Sequence, residues 1–239
     1  MYKKIGFACF LSLGAASPTR AVEPGSLVWR VETASPVVAL TFDDGPGPDT
    51  PRFLALLKEY NAQATFFMLG ELAESRPQTV RDVVSAGHVV ASHLYRHENF
   101  AKTLPAQGRE SLARSMEQAR TVLEKISGQR IQFLRMPHGI DRPWIRQLAR
   151  EQGFVLVNWS FGFDWEKMTT EEMTQNYLKN IQPGAIILMH DGGRRQKTLT
   201  ILRNVLTALR EKGYNAVTLN DLFEKVSGSP RPQPTSPNP

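Results

Sequence analysis

The stretch Thr41-Phe42-Asp43-Asp44-Gly45-Pro46 places two adjacent carboxylates where an apolar run ends at a Gly-Pro turn. The preceding segment, Val37 to Leu40, is short, apolar and rich in valine, and this composition predicts a buried strand. Asp-Gly and Gly-Pro pairs are also common in turns, so the two acids alone do not distinguish a turn from a metal or acid/base site. That distinction depends on where the histidines fall.

Six further apolar segments predict strands, and segments with helical periodicity separate them. The seven predicted strands are residues 37–42, 64–68, 88–92, 131–135, 154–158, 185–189 and 215–219. This alternation predicts an α/β fold in which helices cover a parallel sheet. Seven repeats are enough for a single distorted (β/α) barrel related to the TIM barrel, although an open doubly wound sheet would leave the same pattern.

Two helix starts carry recognisable capping signals. Thr50 is predicted as the N-cap of the first long helix, because Pro51 follows it at the first helical position. Thr169 and Glu172 have the spacing of a capping box, which predicts a helix that runs to Asn180. These helices follow the first and fifth predicted strands, as the alternating pattern requires.

Polar side chains that can carry chemistry follow the same end of several predicted strands. They are Asp43 and Asp44 after the first strand, His93 and His97 after the third, Arg135 at the end of the fourth, Asp164 beyond the fifth, and His190 after the sixth. In a parallel barrel these strand ends lie on one face, where the catalytic residues of such folds are found. We therefore expect the seven residues to converge on one site.

The chemistry of such a site follows from its residue types. His93 and His97 are separated by three residues, so one helical turn or tight loop can direct both imidazoles to one side. A carboxylate from another strand end would complete a His-His-Asp set with open positions, as a catalytic zinc or similar ion requires. Such an ion lowers the pKa of its bound water and polarises a carbonyl, which favours hydrolysis. The second carboxylate is then available as a general base, and His190 as the acid that protonates a leaving amine.

Five motifs in order indicate a family resemblance over residues 37 to 223. They are Thr41 to Pro46, His93-Leu94-Tyr95-Arg96-His97, Arg135-Met136-Pro137-His138-Gly139, Asp164-Trp165, and Leu188-Met189-His190-Asp191. In these motifs the chain resembles polysaccharide deacetylases of the NodB-homology type, carbohydrate esterase family 4. The resemblance implies a metal-dependent hydrolase that acts on the carbon–nitrogen bond of N-acetyl groups in a polysaccharide.

The resemblance also implies a role for each matched side chain. The metal ligands would be Asp44, His93 and His97, and the expected ion is zinc, with cobalt as an alternative. The catalytic residues would be Asp43, His190, Arg135 and Asp164. Among these, Asp43 corresponds to the general base, which Arg135 orients. His190 corresponds to the acid, and Asp164 to the partner that tunes it.

Three further positions correspond to substrate contacts. Trp165 and Leu188 would line the pocket for the acetyl methyl group, and the backbone N–H of His138 would help to hold the developing oxyanion. Three features depart from the family pattern. His138 replaces Tyr or Phe, and Leu94 replaces a Ser or Thr that steadies its loop. The aspartate often found upstream of the fourth motif is not evident in residues 159–163. We expect these departures to affect rate, specificity and metal affinity rather than the reaction class.

The implied partner is an acetylated glycan, with peptidoglycan or a chitin-like oligosaccharide as the amino-sugar candidates. The same residues could also remove O-acetyl groups from acetylxylan-type esters, because an alkoxide leaves more easily than an amine. A non-catalytic glycan-binding protein that has kept the fold is the alternative outside the enzyme class. No long Lys/Arg run and no basic stripe interleaved with aromatics is present, so nucleic acid is not an expected partner.

The first 21 residues have the features of an export signal. Lys3 and Lys4 precede a mostly apolar run, from Ile5 to Ala16, that is too short to span a bilayer. Cleavage after Ala21 would lower the formal net charge from +6 to +3, because Lys3, Lys4 and Arg20 would be lost. It would also remove Cys9, the only cysteine, so the exported form would have no disulfide.

The sequence thus predicts three segments. Residues 1–21 form the signal peptide, residues 22–226 the NodB-like catalytic domain, and residues 227–239 a proline-rich, disordered tail. The mature chain would be mildly basic, which suits an anionic or neutral polymer. We expect a secreted or periplasmic monomer without stable membrane insertion.

Overall fold

The computed structural model describes residues 22–227. The predicted signal peptide and residues 228–239 of the predicted tail lie outside this range. The described strands are β1 (Leu27–Val28), β2 (Val37–Gly45), β3 (Thr65–Met68), β4 (Val89–Ser92), β5 (Phe133–Leu134), β6 (Val155–Val157), β7 (Phe161–Gly162), β8 (Ile186–His190) and β9 (Asn215–Val217). The α-helices are α1 (Thr50–Glu59), α2 (Gly70–Ser75), α3 (Pro77–Ser85), α4 (Pro105–Ser127), α5 (Pro143–Glu151), α6 (Thr170–Asn180), α7 (Gln196–Glu211) and α8 (Leu219–Ser227). None of the helices within this range is both long and apolar enough to cross a membrane.

The parallel strands form a distorted barrel around β2. This strand pairs with β3 on one side and with β8 on the other. The sheet continues from β3 through β4 and β5 to β6, and from β8 to β7. The path of paired strands ends at β7 and at β1, which pairs with β6. Arg30, just after β1, forms a bridge with Ala185, directly before β8, so the two ends of the sheet meet. The single distorted barrel is therefore confirmed, and the open doubly wound sheet is excluded.

All seven predicted strands are present, with shifted ends. The sequence does not predict β1 and β7, because strands of two residues have no detectable periodicity. β9 pairs with the first residues of β2, Val37 to Ala39, and so lies at the end of the barrel away from the carboxyl ends of the strands.

Side-chain alternation along β2 builds two apolar layers. Val38, Leu40 and Phe42 belong to the layer between the sheet and the helices. Val37 and Ala39 belong to a second layer, which fills the barrel interior together with Phe67, Ala91, Phe133, Val157 and other buried side chains. Burial on both faces explains why this strand reads as a continuous apolar run.

One predicted helix start is wrong and the other is confirmed. Helix α1 begins at Thr50, so Asp49 is its N-cap, and Asp49 makes no side-chain capping bond. The Thr50 hydroxyl instead donates to Asp191 Oδ2 at 2.5 Å, a contact across 141 positions of sequence that local spacing cannot reveal. The capping box at the start of α6 forms as predicted, with reciprocal hydrogen bonds between Thr169 and Glu172.

Candidate active site

A bulge at the end of β2 separates the directions of its two carboxylates. Asp44 has a φ of +68°, and the pairing register with β3 shifts between Asp43 and Gly45. Bulges of this kind re-aim side chains next to active sites. Both acids therefore lie inside the strand, which extends to Gly45, and not beyond its end as the sequence predicts.

A fully buried arginine holds Asp43. Arg135 Nη1 donates to Asp43 Oδ1 at 2.7 Å and to the Thr41 hydroxyl at 2.9 Å. Its Nε and Nη2 donate to the carbonyls of Val157 and Asn158 at 3.0 and 2.9 Å. Burial lowers the pKa of Arg135, and the charge of Asp43 opposes that shift. Because the guanidinium is fixed on several sides, it orients Asp43 Oδ1 and leaves Oδ2 available for other partners.

Asp44, His93 and His97 bring three ligand atoms within 4.8 Å of one another. Asp44 Oδ1 is 3.5 Å from Nε2 of His93 and 3.5 Å from Nε2 of His97. Two ligands bound about 2.1 Å from a tetrahedral ion lie about 3.4 Å apart, so these separations fit an ion of zinc size. Asp44 Oδ1 is also buried with no hydrogen-bond partner among the described residues. The three residues therefore form a candidate metal site with open positions.

The surroundings of these ligands favour their unprotonated forms. His93 Nδ1 lies 2.8 Å from the carbonyl oxygen of Arg135, which can only accept, so Nδ1 carries the proton and Nε2 presents a lone pair. Burial lowers the pKa of His97, assisted by the charge of His93. Burial alone would raise the pKa of Asp44, but the interactions with His93 and the other nearby histidines lower it to about 2. Metal binding requires these states.

Leu94 forms the turn between the two candidate histidine ligands, His93 and His97. Its backbone is left-handed, with a φ of +69°, and its side chain is fully buried in the core between the sheet and the helices. The amide of Leu94 donates to the Ser92 hydroxyl at 3.2 Å. A hydroxyl therefore does steady this turn, although it comes from Ser92, just before the first histidine ligand, and not from the residue after it.

His190 and Asp164 form a second tightly held pair. His190 Nδ1 is 2.9 Å from Asp164 Oδ1, and Asp164 Oδ2 accepts from the His190 amide at 2.9 Å. The Thr198 hydroxyl also donates to Asp164 Oδ2 at 2.9 Å. Burial would lower the pKa of His190, but the hydrogen bond to Asp164 and its charge raise it overall. A histidine that keeps its proton more readily is suited to general acid catalysis.

The cleft above these residues has a volume of about 420 Å³ and unites most of the predicted site. Eight of the ten predicted residues line it, namely Asp43, Asp44, His93, His97, His138, Trp165, Leu188 and His190. The remaining two, Arg135 and Asp164, are buried and hydrogen-bond to Asp43 and His190. The predicted convergence of the strand-end residues is therefore seen in the structure.

The three predicted substrate contacts surround the ligands and the acid. The Trp165 ring is 43% exposed and packs edge-on against His190, with ring centroids 5.2 Å apart. Leu188 is buried at the floor of the same cleft. His138 is exposed, has a φ of +61°, and places its ring edge-on to His97 with centroids 4.7 Å apart. These side chains give the cleft an apolar wall beside the polar residues.

A sequence profile described as polysaccharide deacetylase matches residues 30–157. The chain belongs to the polysaccharide deacetylase family. A peptidoglycan-N-acetylglucosamine deacetylase of Bacillus cereus is 38% identical over 191 residues, which cover 78% of this chain and 68% of that protein. A chitooligosaccharide deacetylase of Sinorhizobium fredii is 33% identical over 199 residues, covering 77% of this chain and 91% of that protein.

Solved structures agree with this membership of the polysaccharide deacetylase family. The crystal structure of the Bc1960 peptidoglycan N-acetylglucosamine deacetylase, in complex with a naphthyl-substituted N-hydroxybenzamide, superposes with a TM-score of 0.77. It is 33% identical in sequence, and the match covers 84% of this chain and 94% of that one. The resemblance, the barrel fold and the prediction of a polysaccharide deacetylase enzyme are thereby confirmed.

Two residues that are absent from the predicted site, Trp159 and Arg195, also line the cleft of this polysaccharide deacetylase. The Trp159 ring packs edge-on against Trp165 with centroids 6.1 Å apart, and Arg195 Nη2 is 3.8 Å from Asp44 Oδ2. Trp159 directly follows the fifth predicted strand, and Arg195 lies in the loop after the sixth. Their position beyond strand ends is the signal that could have identified both.

Proposed function

We propose that the protein is a metal-dependent hydrolase that removes N-acetyl groups from an amino-sugar glycan. The observation that carries this proposal is the shared cleft, which contains a three-ligand metal site, an arginine-held carboxylate and a carboxylate-held imidazole. Relatives named as deacetylases of peptidoglycan N-acetylglucosamine and of chitooligosaccharides support the substrate class.

The residues of the cleft have distinct places in amide hydrolysis. A divalent ion held by Asp44, His93 and His97 would supply a Lewis acid that activates water and polarises the acetyl carbonyl. Asp43 Oδ2 takes a proton from the attacking water, while Arg135 keeps the carboxylate oriented through Oδ1.

His190 completes the reaction from the other catalytic pair. Its imidazolium donates a proton to the amine nitrogen as the carbon–nitrogen bond breaks, so that acetate and a free amino sugar leave. Asp164 favours this protonated form. We propose that the backbone N–H of His138 donates a hydrogen bond to the developing oxyanion, and that Trp165 and Leu188 contact the acetyl methyl group.

Zinc is the proposed ion, because one oxygen and two nitrogen ligands with open positions are typical of catalytic zinc sites, and cobalt is the alternative. We also propose that residues 1–21 direct export, since a cell-wall or extracellular glycan lies beyond the cytoplasmic membrane. Residues 22–226 would then act as the catalytic domain.

The decisive experiment is an acetate-release assay on three substrates: peptidoglycan, chitin oligosaccharides and acetylxylan. We expect release from an N-acetylated substrate, loss of activity after chelation, and recovery with added Zn²⁺ or Co²⁺. Asp43→Asn should reduce kcat by about 100-fold or more while Zn²⁺ affinity, measured by calorimetry, is retained. If the metal-loaded protein releases no acetate from any of them, the proposal is wrong. Release from acetylxylan alone would favour an O-deacetylase.

A further inference from the structure

The loop between β8 and α7, together with the first turn of α7, carries three cations beside the cleft. Arg194, Arg195 and Lys197 follow the pair Gly192-Gly193. Arg195 lines the cleft, whereas Arg194 and Lys197 are exposed. Among the described residues, neither Arg194 nor Lys197 forms an ion pair, so their charges are available to a ligand.

Hydrogen bonds hold this loop in a defined position. The Arg195 amide donates to Asp49 Oδ2 at 2.7 Å, and Arg195 Nε donates to the carbonyl of Gly192 at 2.5 Å. Asp49 Oδ1 accepts from Arg52 at 3.3 Å, so both oxygens of this nearby acid are engaged. The backbone bond from Arg195 is the main cause that lowers the pKa of Asp49, and the charge of Arg194 contributes. The loop therefore keeps an excess of positive charge.

The cation on the β4 side of the cleft, Arg96, in contrast has an acidic partner. Arg96 Nε, next to the ligand His97, donates to Glu71 Oε2 at 3.0 Å. The neighbouring Tyr95 hydroxyl donates to Glu74 Oε2 at 2.7 Å. The cleft is thus electrostatically asymmetric, with the unpaired cations Arg194 and Lys197 on the β8 side and Arg96, whose charge Glu71 compensates, on the β4 side.

We infer that the segment Arg194–Lys197 binds a carboxylate of the glycan, next to the sugar whose acetyl group enters the cleft. The inference rests on the proposed function and narrows its substrate class to amino-sugar polymers that carry carboxylates. Guanidinium groups are well suited to this task, because their planar N–H groups match the two oxygens of a carboxylate. The carboxylate could belong to an acidic sugar unit or to a peptide attached to the sugar.

The test compares kcat/KM for acetate release between wild type and the double variant Arg194→Ala/Lys197→Ala. Three substrates separate the sources of charge: neutral chitin oligosaccharides, peptidoglycan strands stripped of peptide, and strands that retain their peptides. At low ionic strength we expect kcat/KM of the variant on a carboxylate-bearing strand to fall about fivefold to tenfold relative to its kcat/KM on the neutral oligosaccharide. The fall should come mainly from a higher KM. This difference should shrink at about 0.5 M salt, where exposed charges are screened. A loss on stripped strands identifies a sugar carboxylate, and a loss confined to peptide-bearing strands identifies a peptide carboxylate.

The matched control is Lys58→Ala/Lys179→Ala, which removes two exposed cations near the carboxyl-terminal ends of α1 and α6. These helix ends lie at the opposite end of the barrel, so we expect the ratio between charged and neutral substrates to stay at the wild-type value. If Arg194→Ala/Lys197→Ala releases acetate with unchanged ratios at low salt, the inference is wrong and the proposed function stands. If the wild-type protein releases no acetate from any substrate, the proposed function itself fails.

Discussion

Asp44 has a left-handed backbone conformation that few residues other than glycine adopt, and a neighbouring glycine leaves room for it. A left-handed non-glycine residue costs about 1 kcal/mol or more, and such strain is concentrated at functional sites. Gly192 packs directly against it, because a Cβ at Gly192 would lie 2.3 Å from the Asp44 carbonyl oxygen and 2.4 Å from its Cβ. Gly192 is therefore required by the bulge that directs Asp44, the candidate metal ligand.

At the same scale, Asp164 determines how His190 titrates. Asp164 raises the pKa of His190 through a hydrogen bond and its charge, against the effect of burial. In Asp164→Asn the negative charge is lost, so the pKa of His190 should fall. Because the proposed reaction needs the protonated form of His190, the alkaline limb of the kcat profile should move to lower pH, with a larger loss of activity at pH 8 than at pH 6.

The matched control for this prediction is Thr198→Val, which removes one hydrogen bond to Asp164 but keeps its charge. Its alkaline limb should stay close to that of wild type. An unshifted limb in Asp164→Asn would show that His190 is not the acid whose titration the profile records.

At the scale of elements, helix α6 holds the segment that carries Asp164 against β8. The buried Tyr177 hydroxyl accepts from the amides of Phe163 and Asp164 at 2.9 and 3.2 Å, and it donates to the Leu188 carbonyl at 2.7 Å. One hydroxyl therefore connects α6, the loop after β7 and a strand that lines the cleft.

We expect Tyr177→Phe to lower the free energy of unfolding by about 2 to 4 kcal/mol, because it leaves buried amide and carbonyl groups without a partner. The kcat should fall about tenfold as the Asp164 segment loses its anchor. Urea denaturation and steady-state kinetics measure the two effects. The control Tyr60→Phe removes the hydrogen bond to Thr207 at a partly buried position, where water can replace the lost partner, so less than about 1 kcal/mol should be lost. Equal effects of the two substitutions would contradict this account.

At the scale of the whole molecule, one buried acid, Asp191, connects the end of β8 to the start of α1. Asp191 has no exposed surface and accepts a hydrogen bond from Thr50 at the start of α1. A Cβ at Gly45 would lie 2.5 Å from Asp191 Oδ1, so the strand end packs directly on this carboxyl group. Burial raises the pKa of Asp191 to about 7, opposed by the Thr50 bond and assisted by the charges of Asp43 and Asp44.

This raised pKa predicts a pH-dependent stability. Between the ordinary value of 3.8 and about 7, the unfolded chain releases the Asp191 proton while the folded chain keeps it. Stability therefore falls as pH rises through this window, by about 4 kcal/mol in all. Asp191→Asn has no carboxyl group to titrate, so it lacks this pH-dependent loss of stability. Its free energy of unfolding relative to wild type should therefore increase by about 4 kcal/mol between pH 4 and pH 8. Urea denaturation with chelator present measures this difference.

The control is Asp141→Asn, because Arg146 lowers the pKa of that largely solvated acid. Its substitution should change stability little, and any loss should be greater at pH 8 than at pH 4, the opposite trend. A difference between Asp191→Asn and wild type that is constant with pH would contradict the assignment of a protonated, buried Asp191.

The sequence by itself determined the seven main strands, their alternation with helices and the ten candidate site residues. These depend on local signals, because apolar periodicity and short motifs are carried by neighbouring residues. The tertiary structure decided the barrel over the open sheet, since closure depends on the pairing of β1 with β6 and on the bridge from Arg30 to Ala185 beside β8. It also decided the different partners of Asp43 and Asp44, the Thr50–Asp191 bond and the place of Arg195 beside Asp44. Each of these depends on a bulge or on contacts between distant residues, which exist only once the chain has folded.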